Sequence, residues 1–241
     1  MNVEGIRAVL FDLDGTLVPM DVEVFTNTYF EELGKKAASI GLEPKQTVKT
    51  VWDATKLMFT NDGSAKNDVR FWQGFTDIMG PESIRYRTDF DDFYVAEFDS
   101  VKRIISENPY ARRLVDLLKD NQMELIIATN PLFPVMANHT RLSWVDLKGE
   151  DFDYITAYEN SSYCKPNPKY YEEIMTVRGL NPENCLMIGN DVTEDMVAKN
   201  LGMQVYLVTD CLISKENIDI AQFENGSFAE LYERMKAAFA G

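Results

Sequence analysis

AVLFDLDGTLV, residues 8–18, is an apolar run that stops at Asp12, with a second carboxylate at Asp14 and a glycine and a threonine behind it. The run belongs to IRAVLF, residues 6–11, whose near-continuous apolar character is typical of a strand covered on both faces. Removing a carboxylate from water is costly, so two acids directly after such a strand need a reason. The stretch predicts a buried strand that ends in a polar site.

Four further short apolar runs alternate with helical patterns. They are MELIIAT (123–129), YITAY (154–158), CLMIG (185–189) and QVYLV (204–208). Helices are predicted from Asn108, as N-cap, through YARRLVDLLKD, from Asn167 to a stop at Gly179, and from Asp195 to a stop at Gly202. Strands that alternate with helices predict crossover connections, and therefore an α/β fold with a mainly parallel sheet.

The chain from about residue 19 to residue 100 breaks this alternation, because it contains no convincing strand pattern. Phe25, Tyr29, Leu33 and Ala37 recur every four residues, which predicts an amphipathic helix. Two further stretches, QTVKTVWDATKLMF and DVRFWQGFTDIM, also have helical patterns. We therefore predict an all-helical insert, rich in aromatic residues, between the first strand and the rest of the sheet.

Length and composition limit the classes of function. The 241 residues, 45% of them hydrophobic, are enough for one large domain or for a core with a smaller insert. The net charge of −15 argues against nucleic acid and anionic membranes as partners, and requires a local positive site for any anionic substrate. Three widely spaced cysteines favour neither a zinc site nor a disulfide framework. With no signal-peptide pattern and no long apolar run, we expect a cytoplasmic protein.

Chemically active side chains follow several of the predicted strands. In chain order they are Asp12, Asp14, Thr129, Asn130, Lys165, Asn190, Asp191, Glu194 and Asp195. Open parallel sheets bind their ligands outside the carboxyl ends of the strands, which is where these residues would meet. We therefore expect one site that combines acids, a hydroxyl group and a lysine.

These segments resemble the motifs of the haloacid dehalogenase superfamily: DLDGT, then TN, then KP, then the acidic cluster of GNDVTED, in that order. The match covers residues 6–18 and about 108–210, and DLDGT is its most specific element. The resemblance implies a Rossmann-like three-layer sandwich formed by residues 1–17 and 101–241, with a helical cap of the family's first type at residues 18–100. It also implies a phosphatase-type hydrolase.

The resemblance implies a role for each motif residue. Asp12 would be the nucleophile that attacks phosphorus and forms an aspartyl-phosphate, while Asp14 would protonate the leaving alcohol and then deprotonate the attacking water. Thr129 and the N–H of Asn130 would bind phosphate oxygens, and Lys165 would neutralise charge on the phosphate and on Asp12. Mg²⁺ suits such an all-oxygen site. The family pattern would place it on Asp12, the main-chain carbonyl of Asp14 and an acid of the fourth motif.

The fourth motif leaves two alternatives for that acid. Many members of the superfamily have aspartate directly after the glycine, whereas GNDVTED has Asn190 there and Asp191 next. We expect Asp191 to be the direct ligand, because a hard dication gains more from a carboxylate than from an amide. The alternative places Asn190 in the ligand position, with Asp191 beside it. Asn190 and Asp195 are otherwise expected behind the metal, where Asp195 would hydrogen-bond its waters.

The superfamily contains phosphatases, sugar phosphomutases and carbon–halogen hydrolases, so the fold alone does not decide the reaction. Asp14 argues against dehalogenation, because that reaction has no alkoxide leaving group to protonate. We predict magnesium-dependent hydrolysis of a small phosphorylated metabolite by a monomer or homodimer. The alternatives are a sugar phosphomutase and a regulatory protein that binds a phosphorylated metabolite with little turnover.

Overall fold

A parallel sheet of six strands organises the chain in this computed structural model, which describes residues 3–214 and 218–240. The strands are β1 (Ala8–Phe11), β2 (Glu124–Ile127), β3 (Tyr154–Ile155), β4 (Cys185–Gly189), β5 (Gln204–Val208) and β6 (Glu224–Gly226). Their order is β3-β2-β1-β4-β5-β6, and every neighbouring pair is parallel. The predicted α/β fold is confirmed. Strand β6 was not predicted, because this short edge strand has the sequence ENG and lacks an apolar run.

Eight α-helices lie in the described part of the chain. They are α1 (Val22–Ser39), α2 (Pro44–Phe59), α3 (Asn67–Met79), α4 (Arg87–Ala96), α5 (Ala111–Asp120), α6 (Val135–Ser143), α7 (Pro168–Arg178) and α8 (Phe228–Ala240). Short 3-10 helices cover Pro81–Tyr86, Phe98–Ile104, Gly149–Asp151, Pro182–Asn184, Met196–Leu201 and Ile220–Gln222. None of these described helices combines the length and the apolar character that crossing a bilayer requires.

Helix boundaries follow the capping chemistry of the sequence, with two differences from expectation. Helix α7 begins after the N-cap Asn167 and ends at Gly179, which is left-handed, as predicted. Helix α5 begins only at Ala111. The side-chain oxygen of Asn108 accepts the backbone N–H of Tyr110 at 3.2 Å, and its amide donates to the Leu17 carbonyl at 3.0 Å. The helix predicted from Asp195 is a 3-10 helix over Met196–Leu201.

Alternate residues of β1 face different helical layers. Val9 and Phe11 pack in the apolar cluster that contains residues of α5, α6 and α8. Ala8 and Leu10 pack in a second cluster, which contains residues of α7 and of the 3-10 helix Met196–Leu201. Because both faces of β1 are covered, the sequence reads as a continuous apolar run, and the fold has the three layers that were predicted.

Helices α1 to α4 all lie between β1 and β2, and within this fully described stretch no strand occurs. Most of their buried apolar residues belong to the same apolar cluster as one face of the sheet. Phe98, fully buried after α4, is the centre of the contact between the two parts. Its ring lies 5.5–6.3 Å from six other rings, those of Phe25, Tyr29, Phe93, Tyr94, Phe133 and Trp144.

Replacing Phe98 by alanine should therefore destabilise the whole chain. Loss of the buried ring and the cavity left behind should lower the free energy of unfolding by about 3–5 kcal/mol, measured by urea denaturation. Val95→Ala is the control, because Val95 is 71% exposed at the end of α4 and should change stability by less than about 0.5 kcal/mol. Equal effects of the two substitutions would contradict this view of the packing.

Candidate active site

A cavity of about 330 Å³ opens at the carboxyl ends of the central strands. Its lining includes most of the site residues predicted from the sequence: Asp12, Asp14, Thr129, Asn130, Asn190, Asp191 and Asp195. Lys165 lies behind Asp12 and reaches it from outside the lining. The structure therefore brings every predicted site residue to one place, as the topology of a parallel sheet requires.

The ammonium group of Lys165 is fully buried between two carboxylates. Its Nζ donates to Oδ1 of Asp12 at 2.8 Å and to Oδ1 of Asp195 at 2.6 Å. Burial acts to lower the pKa of Lys165, but Asp12 and Asp195 outweigh it and hold the pKa well above its ordinary value. Lys165 therefore remains a cation, and it fixes the orientation of the Asp12 carboxylate.

Asp195 can reach Lys165 because of a glycine at the end of β4. A Cβ on Gly189 would overlap the carboxylate of Asp195, so a larger residue would displace that side chain. The other carboxylate oxygen of Asp195 accepts the backbone N–H of Asp191 at 2.9 Å. Asp195 thus joins the buried lysine to the turn that follows β4.

Asp14 lies at the cavity wall beside an arginine that the sequence analysis did not identify. Arg141, on α6, is fully buried and donates to Oδ2 of Asp14 and to Oδ1 of Asn138. Its guanidinium group also lies 4.6 Å from the ring of Phe133. Burial raises the pKa of Asp14 to about 6, against the opposing charge of Arg141. A carboxyl group of this kind is suited to both giving and taking a proton near neutral pH.

The turn after Asp14 needs a glycine. Gly15 has a φ of +87°, and a Cβ at this position would overlap the side chain of Asn190. Asn190 can therefore pack against the turn, where its Oδ1 accepts a hydrogen bond from the Thr16 hydroxyl at 3.0 Å. The same hydroxyl lies 3.2 Å from Oδ2 of Asp12. The DLDGT segment thus links the ends of β1 and β4.

Thr129 and Asn130 follow β2 and occupy the opposite side of the cavity. The carbonyl of Thr129 accepts hydrogen bonds from the hydroxyl groups of Thr156 and Tyr170, both at 2.8 Å, which fixes the backbone here. The side chain of Asn130 donates to Glu194 at 3.0 Å, while its Oδ1 is buried with no hydrogen-bond partner in the described structure. A buried acceptor without a partner is uncommon in a folded protein, which marks Asn130 as a residue with a role beyond packing.

The atoms near Asp12 that could bind a metal ion are oxygens of Asp12, Asp14 and Asp191, and oxygen ligands fit Mg²⁺. Asp14 adds a buried Oδ1 that has no hydrogen-bond partner among the described residues. Within that part of the chain, no three acidic, histidine or cysteine side chains form a metal-binding group by themselves. This agrees with the usual magnesium site, where one or two carboxylates hold the ion and phosphate and water complete its coordination.

The two alternatives in the fourth motif differ in their contacts. Oδ1 of Asp191 accepts the backbone N–H groups of Thr193 and Glu194, at 2.6 and 2.9 Å, and so caps the turn after β4. Asn190 is buried, and its side-chain amide donates to the Cys211 carbonyl at 2.6 Å. Both side chains line the cavity. As a metal ligand, Asp191 would offer a charged carboxylate. Asn190 would offer a neutral amide oxygen that already accepts a hydrogen bond from Thr16.

Arg141 and Asn138 are the site residues that the sequence analysis missed. They lie in VMANHTRLSW, which has no recognised motif. One feature of that segment could have identified Arg141: it falls four residues after Ala137, on the face of α6 that is buried. A charged residue at a predicted core position of an amphipathic helix needs a charged partner, and Asp14 provides it.

Comparison with known proteins identifies the family of this chain. The family model for haloacid dehalogenase-like hydrolases matches residues 6–202. A phosphoglycolate phosphatase of Neisseria gonorrhoeae is 25% identical, covering 97% of this chain and 95% of the relative. A pyrophosphatase PpaX of Oceanobacillus iheyensis is also 25% identical, covering 78% of this chain and 76% of its own length.

Solved structures share the fold. A HAD phosphatase from Thermococcus onnurineus superimposes with a TM-score of 0.58 at 18% identity, and the match covers 95% of this chain and 98% of that one. Since the family model matches most of the chain, the assignment made from DLDGT and the three later motifs is confirmed. The chain belongs to the haloacid dehalogenase-like hydrolases, and it is an enzyme of the phosphatase type within that superfamily.

Proposed function

We propose that the protein is a magnesium-dependent phosphatase that hydrolyses a small phosphorylated metabolite through a phosphorylated Asp12. The observation that carries this proposal is the placement of Asp12 at the cavity, with the buried Lys165 bound to one of its oxygens and Asp14 beside it. Phosphoryl transfer needs a nucleophile, a proton donor and a fixed cation, and these three groups meet at the carboxyl end of the sheet.

In the first step, a carboxylate oxygen of Asp12 attacks phosphorus and the bond from phosphorus to the alcohol oxygen breaks. The protonated carboxyl group of Asp14 gives its proton to the departing alkoxide, which leaves as a neutral alcohol. In the second step, Asp14 takes a proton from water. The water oxygen attacks phosphorus, the bond to Asp12 breaks, and inorganic phosphate is released with both carboxyl groups restored.

The surrounding residues hold these groups in place. Lys165 neutralises charge at Asp12, and Arg141 fixes Asp14 at the cavity wall. We assign the binding of phosphate oxygens to the hydroxyl of Thr129 and the backbone N–H of Asn130, because both residues line the cavity. Preorganised donors of this kind stabilise the transition state because they need no reorientation during the reaction.

We assign Mg²⁺ to Asp12, the main-chain carbonyl of Asp14 and Asp191, with Asn190 and Asp195 behind them. The bound ion would supply the positive charge that lets a phosphate dianion lie beside two carboxylates. The protein itself orients the oxygen atoms that would bind the ion. Asp195 receives that orientation from Lys165, and Asp191 receives it from the turn that it caps.

We further propose that the helical insert, residues 18–100, acts as a cap over the cavity, and that residues 1–17 and 101–241 form the catalytic core. Side chains of α1, α2, α3 and α4 all contribute to the cavity lining. A cap placed in this way excludes bulk water from the phosphoryl group and restricts which leaving groups fit.

Replacing the nucleophile should abolish turnover. Asp12→Asn keeps the size of the side chain but removes its charge, so phosphate release from a panel of phosphomonoesters with Mg²⁺ should fall by at least about a thousandfold. Free phosphate is the readout, because a phosphomutase would interconvert isomers with little phosphate release. Undiminished release by Asp12→Asn would contradict the proposal. Tight binding of phosphorylated metabolites by the native protein without any hydrolysis would support a regulatory protein instead.

Loss of Asp14 should depend on the leaving group. Asp14→Asn should slow single-turnover release of an alkyl alcohol by roughly a hundredfold or more, because the alkoxide needs a proton. Release of p-nitrophenolate in the first step should fall much less, since this anion leaves without a proton. Rapid-quench measurement of both products gives the comparison. Equal losses with both substrates would mean that Asp14 does not act as the proton donor.

The metal ligand in the fourth motif can be tested with single substitutions at Asp191 and Asn190. Asp191→Asn retains an oxygen that can cap the turn but loses the charge, so the Mg²⁺ dissociation constant should rise on the order of tenfold or more. Isothermal titration with Mg²⁺ gives this constant without relying on activity. Asn190→Ala is the comparison, and it should weaken binding less. The reverse order would assign the ligand position to Asn190.

A further inference from the structure

The wall that the helical insert contributes to the cavity is aromatic and has no cation. Phe30, Trp52, Phe71, Trp72 and Phe90 all face the space next to the catalytic acids. Lysine, arginine and histidine are absent from the described lining residues, and the insert adds a single charged residue, the acid Asp91. A carboxylate or a second phosphate on the leaving group would therefore meet no opposite charge there and would lose its hydration.

Cations beside this wall already have partners. Lys56, whose Nζ lies 5.6 Å from the ring of Trp52, pairs with Asp53 at 2.9 Å. Arg141 is bound to Asp14 and Asn138. Arg87 pairs with Asp68 at 3.2 Å and lies 5.7 Å from the ring of Trp72. Neither guanidinium group can turn to a substrate carboxylate without giving up its present contacts.

The hydroxyl groups of the wall are also engaged. Thr26 and Thr55 each donate to the carbonyl four residues earlier in their helix, at 2.8 Å. Tyr29 and Tyr94 share a hydrogen bond of 2.8 Å with each other. Beside one remaining hydroxyl proton of this tyrosine pair, the wall offers the Nε1–H of Trp72, which is buried with no hydrogen-bond partner among the described residues, and the carboxylate of Asp91. A sugar has more hydroxyl groups than these few partners can bind, so its burial against the wall would be unfavourable.

From these contacts we infer that the substrate is a phosphomonoester whose leaving group is neutral and mainly apolar, with an aromatic ring that packs against this wall. The inference rests on the proposed phosphatase function and adds the class of alcohol that is released. Burying a ring against aromatic side chains is favourable, and the face and edge contacts among the wall residues provide the geometry for it.

The experiment compares kcat/KM for phosphomonoesters that all release a primary alcohol, so that leaving-group chemistry is matched. 2-Phenylethyl phosphate should exceed phosphoglycolate and glycerol 1-phosphate by about ten- to a hundredfold, the range expected for burial of one ring. Phosphoglycolate or glycerol 1-phosphate reacting as fast as the phenyl compound would overturn the inference and leave the phosphatase proposal intact. Hydrolysis of none of them would overturn the inference, and the phosphatase proposal also fails if the wider panel of phosphomonoesters gives no phosphate release.

One further pair of substrates distinguishes an apolar wall, which binds a neutral group, from an aromatic cage that binds a cation. 3,3-Dimethylbutyl phosphate and phosphocholine have nearly the same shape but differ in charge, and an aromatic cage with a nearby acid would prefer the cation. The inference requires the neutral compound to have the higher kcat/KM. A preference for phosphocholine would contradict it.

Adding a cation to the wall gives an independent test. Thr55→Arg should raise the kcat/KM ratio of phosphoglycolate to 2-phenylethyl phosphate by at least about tenfold, because it supplies the missing positive charge. Thr176→Arg is the control: Thr176 also donates to the carbonyl four residues earlier, but it lies on α7, outside the cavity. It should leave the ratio unchanged. If Thr55→Arg does not fold, judged by circular dichroism, Thr26→Arg places the charge on α1 instead. An unchanged ratio in a folded variant would contradict the inference.

Discussion

The ion cluster of Lys165, Asp12 and Asp195 is the constraint on which the rest of the structure depends. An ammonium group that is fully buried requires nearby negative charge, since an isolated charge in the interior costs several kcal/mol. The two carboxylates come from the ends of β1 and β4, and the lysine comes from the loop after β3. These segments are far apart in the chain, so only the parallel sheet can bring them together. Within this cluster, Lys165 fixes the orientation of the Asp12 carboxylate, the group to which we assign the attack on phosphorus.

Chemistry and selectivity lie in different parts of the molecule. We assign the acids, the lysine and the phosphate-binding groups to the carboxyl end of the sheet, whereas the aromatic cavity wall comes from helices of the insert. The family model covers both parts, and the relatives named above are 25% identical to this chain, so its leaving-group site is free to differ from theirs. The activities of relatives at 25% identity therefore bear on the proposed phosphoryl transfer more directly than on the alcohol that is released.

Much of the fold could be predicted because each central strand is covered on both faces and so appears as an apolar run. The edge strand β6 could not be predicted this way, since ENG packs little apolar surface. Within the site, DLDGT and Lys165 were identifiable from local motifs. Arg141 was not, because its role depends on Asp14, which is 127 positions away in the chain. The choice between Asn190 and Asp191 also stayed open, because it depends on which side chain caps the turn and not on residue type alone.

The most direct test of the central claim is to trap the intermediate on the native enzyme. A labelled phosphomonoester with Mg²⁺ would be quenched in acid during turnover, and the peptides would be mapped by mass spectrometry before and after treatment with hydroxylamine, which cleaves acyl phosphates. The account predicts that the phosphoryl group lies on Asp12 and is released by hydroxylamine. Label on another residue, or steady turnover with no labelled peptide at any quench time, would contradict it.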